Sequence, residues 1–120
     1  MERLIVFVDE LTPARRSPVL RAGAARFAGL LALQRGEAKA ADERLLSALR
    51  ELREIEAPYL LGQVLVERAE LLASVGRDDD AAPLVAEATA IFERLRATPW
   101  LERARAVTAH VATDPAGSVR

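Results

Sequence analysis

The chain has no cysteine. That absence excludes a disulfide framework and any thiolate metal site. Histidine, tryptophan and tyrosine occur once each, and aromatics make up 4% of the residues. A single histidine gives a histidine-bearing zinc site nothing to build on. No apolar run approaches the roughly 20 residues that span a bilayer. An excess of one charge is also missing: 17 basic and 18 acidic residues leave a net charge of −1. Nucleic-acid binders carry a basic excess or stripe, so none is expected as a partner. Met1-Glu2-Arg3 does not begin a charged-then-apolar leader, and a cytoplasmic protein is expected. Every cation except Lys39 is arginine, which the coding of a G+C-rich genome explains without phosphate binding.

What is present is half apolar, too much for a disordered chain. At 120 residues it has the length of one domain. Alanine, leucine, arginine and glutamate dominate from Pro18 to Ala112, and all four are strong helix formers. Apolar residues step by three and four. Leu45, Ala48, Leu49, Leu52 and Ile55 form one stripe; Leu61, Leu65, Ala69, Leu72 and Ala73 form a second; Leu84, Val85, Ala88, Ile91, Phe92 and Leu95 form a third. Ser17-Pro18 and Thr98-Pro99 read as helix starts, with a hydroxyl cap and then proline at the first helical position. Asp78, Asp79 and Asp80 complement the positive end of another helix, and Pro83 is placed in or just after its first turn.

Internal repetition organises these elements. A shift of 40 residues lays Pro18 on Pro58, Gly36 on Gly76, Ala41 on Ala81, Leu45 on Val85, Ala48 on Ala88 and Leu52 on Phe92. The predicted unit is helix A, tight turn, helix B, short loop. The first unit, 18–57, has A over 18–35 and B over 38–56. The second, 58–97, has A over 58–75 and B over about 81–96. A capping helix covers 98–112, residues 1–12 take the place of a preceding B helix, and 113–120 form a disordered tail. The fold class expected is all-α: antiparallel helical hairpins, about five or six helices, stacked as a right-handed array over residues 1–112.

The sets Gly29, Ala32, Gly36, Ala41, Leu45, Ala48 and Ala69, Leu72, Gly76, Ala81, Val85, Ala88 resemble the small-and-large pattern of the tetratricopeptide repeat. The period of 40 exceeds that family's usual 34, and its helix-A aromatics are absent. The stretch from Ala57 to Ala104, ending in "IFERLRATPWLERA", resembles the C-terminal repeats of actinobacterial signalling proteins. Those proteins carry a nucleotidyl cyclase or helix-turn-helix regulator with an ATPase module. The resemblance implies a protein-interaction or regulatory module, part of or derived from a larger signalling protein. It also implies groove contacts at Arg26, Gln63, Glu70, Arg103 and His110, for a protein or peptide partner. Alternatives are a free-standing structural homo-oligomer or a small-ligand-binding helical domain.

Candidate chemistry is thin. Asp78, Asp79 and Asp80 lack the glycine turn and closing glutamate of a cation loop and read as a capping turn. His110 has no nucleophile elbow to serve and reads as a surface residue. Arg15, Arg16, Arg21 and Arg26 read as a solvated face, and Arg94, Arg96, Arg103 and Arg105 as surface partners of Glu93 and Glu102. Trp100 reads as packing. No catalytic residue, metal ligand or cofactor site is expected. Leu4, Ile5, Val6, Phe7, Val8 and Leu11 are apolar enough to require cover, for which a homodimer through this N-terminal helix is the expectation.

Overall fold

The computed structural model describes residues 17–113, with side chains described as far as residue 110. The expected N-terminal helix and its homodimer contact, Arg15 and Arg16, and the tail beyond residue 113 lie outside the described residues. All regular structure among the described residues is helical: α1 (Pro18–Gln34), α2 (Ala38–Leu52), α3 (Pro58–Ser74), α4 (Asp78–Leu95) and α5 (Thr98–Thr113). Two compact units part between Ala57 and Pro58, where the repeat boundary was drawn.

The first unit is the α1–α2 hairpin. Ser17 caps α1, its Oγ accepting from the Leu20 amide at 3.1 Å, and Pro18 takes the first helical position. Gly36 closes the turn at φ +75°, which only glycine adopts without strain. The Glu37 amide then reaches back to the Ala32 carbonyl and the Gly36 amide to the Leu33 carbonyl, so the helix end is satisfied. Ala22, Gly29 and Ala32 of α1 are buried, as are Ala41, Leu45, Ala48, Leu49 and Leu52 of α2. A Cβ on Gly29 would lie 3.0 Å from Leu45 Cγ, so leucine packs against bare backbone there. At the open end, Arg21 grips Glu51 with two bonds of 3.2 and 3.1 Å.

The second unit repeats the hairpin and adds a helix. α3 pairs with α4, and α5 packs on both. Gly76, at φ +82°, and Arg77 repeat the helix-end bonds of Gly36 and Glu37, to the Ala73 and Leu72 carbonyls. α4 ends on the same motif, with Arg96 forced to φ 54° where glycine would be relaxed. Val64, Leu65, Val66 and Glu67 are all buried.

The two hairpins keep the sum of paired volumes while changing the parts. Ala22 and Leu52 in the first unit become Gly62 and Phe92 in the second, all four buried. Gly29 and Leu45 become Ala69 and Val85. Where one side chain grows, its counterpart position shrinks, as close packing demands. Phe92 uses the space so completely that a Cβ on Gly62 would fall 2.7 Å from its Cζ.

Two boundaries and one cap differ from expectation. α2 stops at Leu52 rather than at residue 56: the Glu54 and Ile55 amides bond three residues back, to the Glu51 and Leu52 carbonyls, so the chain leaves the α-helix in a tighter turn. α4 begins at Asp78, so the three aspartates are its first turn rather than its approach, and Pro83 is interior. α5 begins at Thr98, the Ala97 carbonyl taking the first helical bond from Leu101 at 2.9 Å. Thr98 therefore sits inside the helix, and Pro99 is its second residue, where the missing amide is still not needed.

Candidate functional site

The second unit assembles its polar groups where α3 and α5 lie side by side. The 40-residue period explains which face of α5 is left wet. Gly62, Leu65 and Ala69 are buried in α3, and their equivalents in α5 are Glu102, Arg105 and Ala109, all exposed. Glu102 and Arg105 thus put charge on a face of α5 that is apolar and buried in α3. The inner face of α5 buries Ala104 and Val107.

Aromatic packing anchors the start of α5. Trp100 stacks on Phe92 at 5.9 Å between centroids with a 21° tilt. Tyr59 meets the same Phe92 edge-on, at 6.1 Å and 83°. Trp100 is thus a packing residue, as its position suggested. Above it lies Arg103, its guanidinium carbon 4.8 Å from the ring centroid. The Arg103 Nε donates to Glu70 Oε2 at 2.7 Å, and Nη2 donates to Oε1 at 2.6 Å. This fork, above all, raises the Arg103 pKa above its ordinary value; partial burial opposes it, and the charges of Glu70 and Glu67 add to it. Arg103 pairs across to α3, rather than with Glu93 or Glu102 as the sequence suggested. The pair is part-exposed, so it fixes geometry more than it stabilises the fold.

Beyond Glu70 the two helices open into a cleft of ≈ 260 Å³, lined by Glu70, Ala73 and Ser74 from α3 and Ala106, Val107 and His110 from α5. Its floor is methyl groups. The surface it offers is almost wholly apolar. The Ser74 hydroxyl donates to the Leu71 carbonyl at 2.6 Å, which leaves its oxygen lone pairs as the group on offer.

Of the expected groove residues, Glu70 and His110 meet in this cleft. Arg103 stands beside it, committed to Glu70 and Trp100. Gln63 lies two turns before Glu70 on α3 and is not among the residues lining the cleft. Arg26 is a half-buried residue of α1, in the other unit. Ala73 was read only as part of an apolar stripe, and Ser74, Ala106 and Val107 went unnoticed as site residues, yet one signal pointed to Ala106: two periods of 40 place it on the Arg26 position. Glu67 was missed as well, and it is buried beside this face at 3% exposure.

A second cavity of ≈ 410 Å³ lies against α4, lined mainly by Ala82, Val85, Ala86, Thr89, Ala90 and Glu93. It brings together no set of convergent polar groups. Among the described residues, no three His, Cys, Asp or Glu side chains could hold a metal ion, and no helix is long and apolar enough to cross a membrane. No protein-family model, curated protein or solved structure matches the chain.

Proposed function

We propose that this chain is a tetratricopeptide-like interaction module, with a right-handed array and a regulatory role within a larger cytoplasmic signalling assembly. It binds a protein segment in the α3–α5 cleft and performs no catalysis of its own. The observation that carries this reading is the cleft itself. It has an apolar floor of Ala73, Ala106 and Val107, with a rim of Glu70, Ser74 and His110 held on two packed helices. Apolar floors with a few placed polar groups suit side-chain recognition. Its volume is below the roughly 300–1,000 Å³ of ordinary small-molecule sites, so it fits one or two side chains of a longer partner. The Glu70–Arg103 fork and the Trp100–Phe92 stack make the wall rigid, which lowers the ordering cost of binding.

A display screen of random peptides against the immobilised chain tests this reading. Enriched peptides are expected to lose at least tenfold in affinity on the Ala106→Arg variant, which fills the cleft from an exposed helix position. The variant is expected to unfold at the same temperature as the parent. Peptides that bind both proteins equally, or no enrichment at all, would contradict the proposal.

A further inference from the structure

α1 carries two apolar stripes, and its hairpin uses one. Ala22, Gly29 and Ala32 are buried, and Gly29 is where Leu45 of α2 packs on the backbone. Leu20, Ala24, Phe27 and Leu31 step by four, three and four along the same helix. At about 3.6 residues per turn they lie on the opposite side, away from α2. All four are apolar and none is buried: Leu20 is 50% exposed and the others are half-buried. Val19, in the first turn, is 47% exposed. The second unit is an internal control. Val64, Glu67 and Leu71 of α3 are the equivalents of Ala24, Phe27 and Leu31, and all three are buried. A position buried as a carboxylate in one unit is a half-buried phenylalanine in the other. An apolar stripe running about three turns along a helix surface marks a docking face.

The occupant follows from the chain that leads into α1. Six of the eight residues 4–11 are apolar: Leu4, Ile5, Val6, Phe7, Val8 and Leu11. Residues 12–17 link Leu11 to Pro18, the first residue of α1. At full extension these six residues reach about 20 Å. The stripe from Leu20 to Leu31 is about 16 Å long, so the segment reaches all of it. We propose that Leu20, Ala24, Phe27 and Leu31 form the docking face for residues 4–11 of the same chain. Tethering decides between this occupant and the alternatives. A segment on a short link is present at an effective concentration in the millimolar range. A second copy, or a foreign helix, at lower concentration is out-competed for the same stripe. The apolar N-terminal segment thus closes the first unit rather than joining two copies. This docking face is separate from the α3–α5 cleft, and neither depends on the other.

Paramagnetic relaxation in the full chain tests it. The chain has no cysteine, so Arg3→Cys creates a single attachment point for a nitroxide. In the isotope-labelled chain, the amide signals of Phe27 and Leu31 are expected to fall by roughly half or more, although they lie 24 and 28 residues from the label. Ser47 and Arg50, on the exposed side of α2, are expected to keep theirs. Adding Phe27→Asp is expected to restore the Leu31 signal and to leave the Ala41 and Leu45 shifts in place, because residue 27 points away from α2. An equal mixture of nitroxide-bearing unenriched chain and enriched chain without nitroxide is expected to show no loss. Signal loss in that mixture would put a second copy on the stripe and overturn the proposal. Full intensity at Phe27 and Leu31 in the nitroxide-bearing chain would overturn it as well, and so would a loss at Leu31 that persists with Phe27→Asp.

Discussion

Gly62→Ala is expected to destabilise the chain, against the usual direction of a glycine-to-alanine change inside a helix. Alanine gains about 1 kcal/mol over glycine in helix propensity. At position 62 the added methyl would sit 2.7 Å from Phe92 Cζ and about as close to the two neighbouring ring carbons, at 3.0 and 3.1 Å. A ring tip in open space would swing aside. This ring is fully buried, stacked on Trp100 and touched edge-on by Tyr59. Overpacking of this kind costs about 1–3 kcal/mol. The clash outweighs the propensity gain, and a net loss of about 1 kcal/mol is expected, read as a fall in Tm of several degrees. The repeat supplies the rescue. Ala22 and Leu52 are the equivalent pair in the first unit, so Gly62→Ala with Phe92→Leu rebuilds a combination the fold already uses. Phe92→Leu alone loses aromatic contacts. The double variant is expected to be at least 1 kcal/mol more stable than the sum of the two single losses, because the residues touch. Strict additivity in a thermal or urea double-mutant cycle would show that the ring does not press on Gly62.

Pro83→Ala is expected to stabilise by about 2 kcal/mol. Pro83 is the sixth residue of α4 and is exposed, so no core contact is lost with it. An interior proline leaves the carbonyl four residues back, here of Asp79, without its helical amide and costs about 3 kcal/mol. Part of that is offset by the stiffer unfolded chain, worth about 0.4–1 kcal/mol. The first unit has Glu43 at the equivalent place in α2, with an ordinary amide. The outcome also discriminates between two starts for α4. With a start near Ala81, as the sequence suggested, Pro83 would lie in the first turn, and its replacement would be neutral or slightly harmful. A rise in the urea midpoint at unchanged slope is the expected signature.

These two cases show where the sequence was legible and where it was not. Helix starts at Pro18 and Pro58 and turns at Gly36 and Gly76 could be read because their signals are local. A proline that needs no amide and a glycine at positive φ act within a few residues. The start of α4 was misread because Asp78–Asp80 resemble a capping approach and Pro83 argues for a late start. The Asp80 and Ala81 amides instead both bond to the Arg77 carbonyl at 3.1 Å, which brings the three aspartates into the first turn. The Gly62–Phe92 contact spans 30 residues and emerges only when the two repeats are compared position by position. The candidate site was half legible. Glu70 and His110 fell on one cleft because they are equivalent positions one period apart. The capture of Arg103 by Glu70 and Trp100 depends on how α5 lies over α3, which no spacing reveals. Ala73 and Ala106 carry no chemical signal of their own and matter only as a floor.

Amide chemical shifts of the isotope-labelled chain, recorded as a peptide enriched by the display screen is added, test the docking account most directly. Saturable changes centred on Glu70, Ala73, Ser74, Ala106, Val107 and His110 are the predicted result, with the α1–α2 hairpin unmoved. Changes centred on the alanine-rich face of α4, or no saturable change at millimolar peptide, would contradict it.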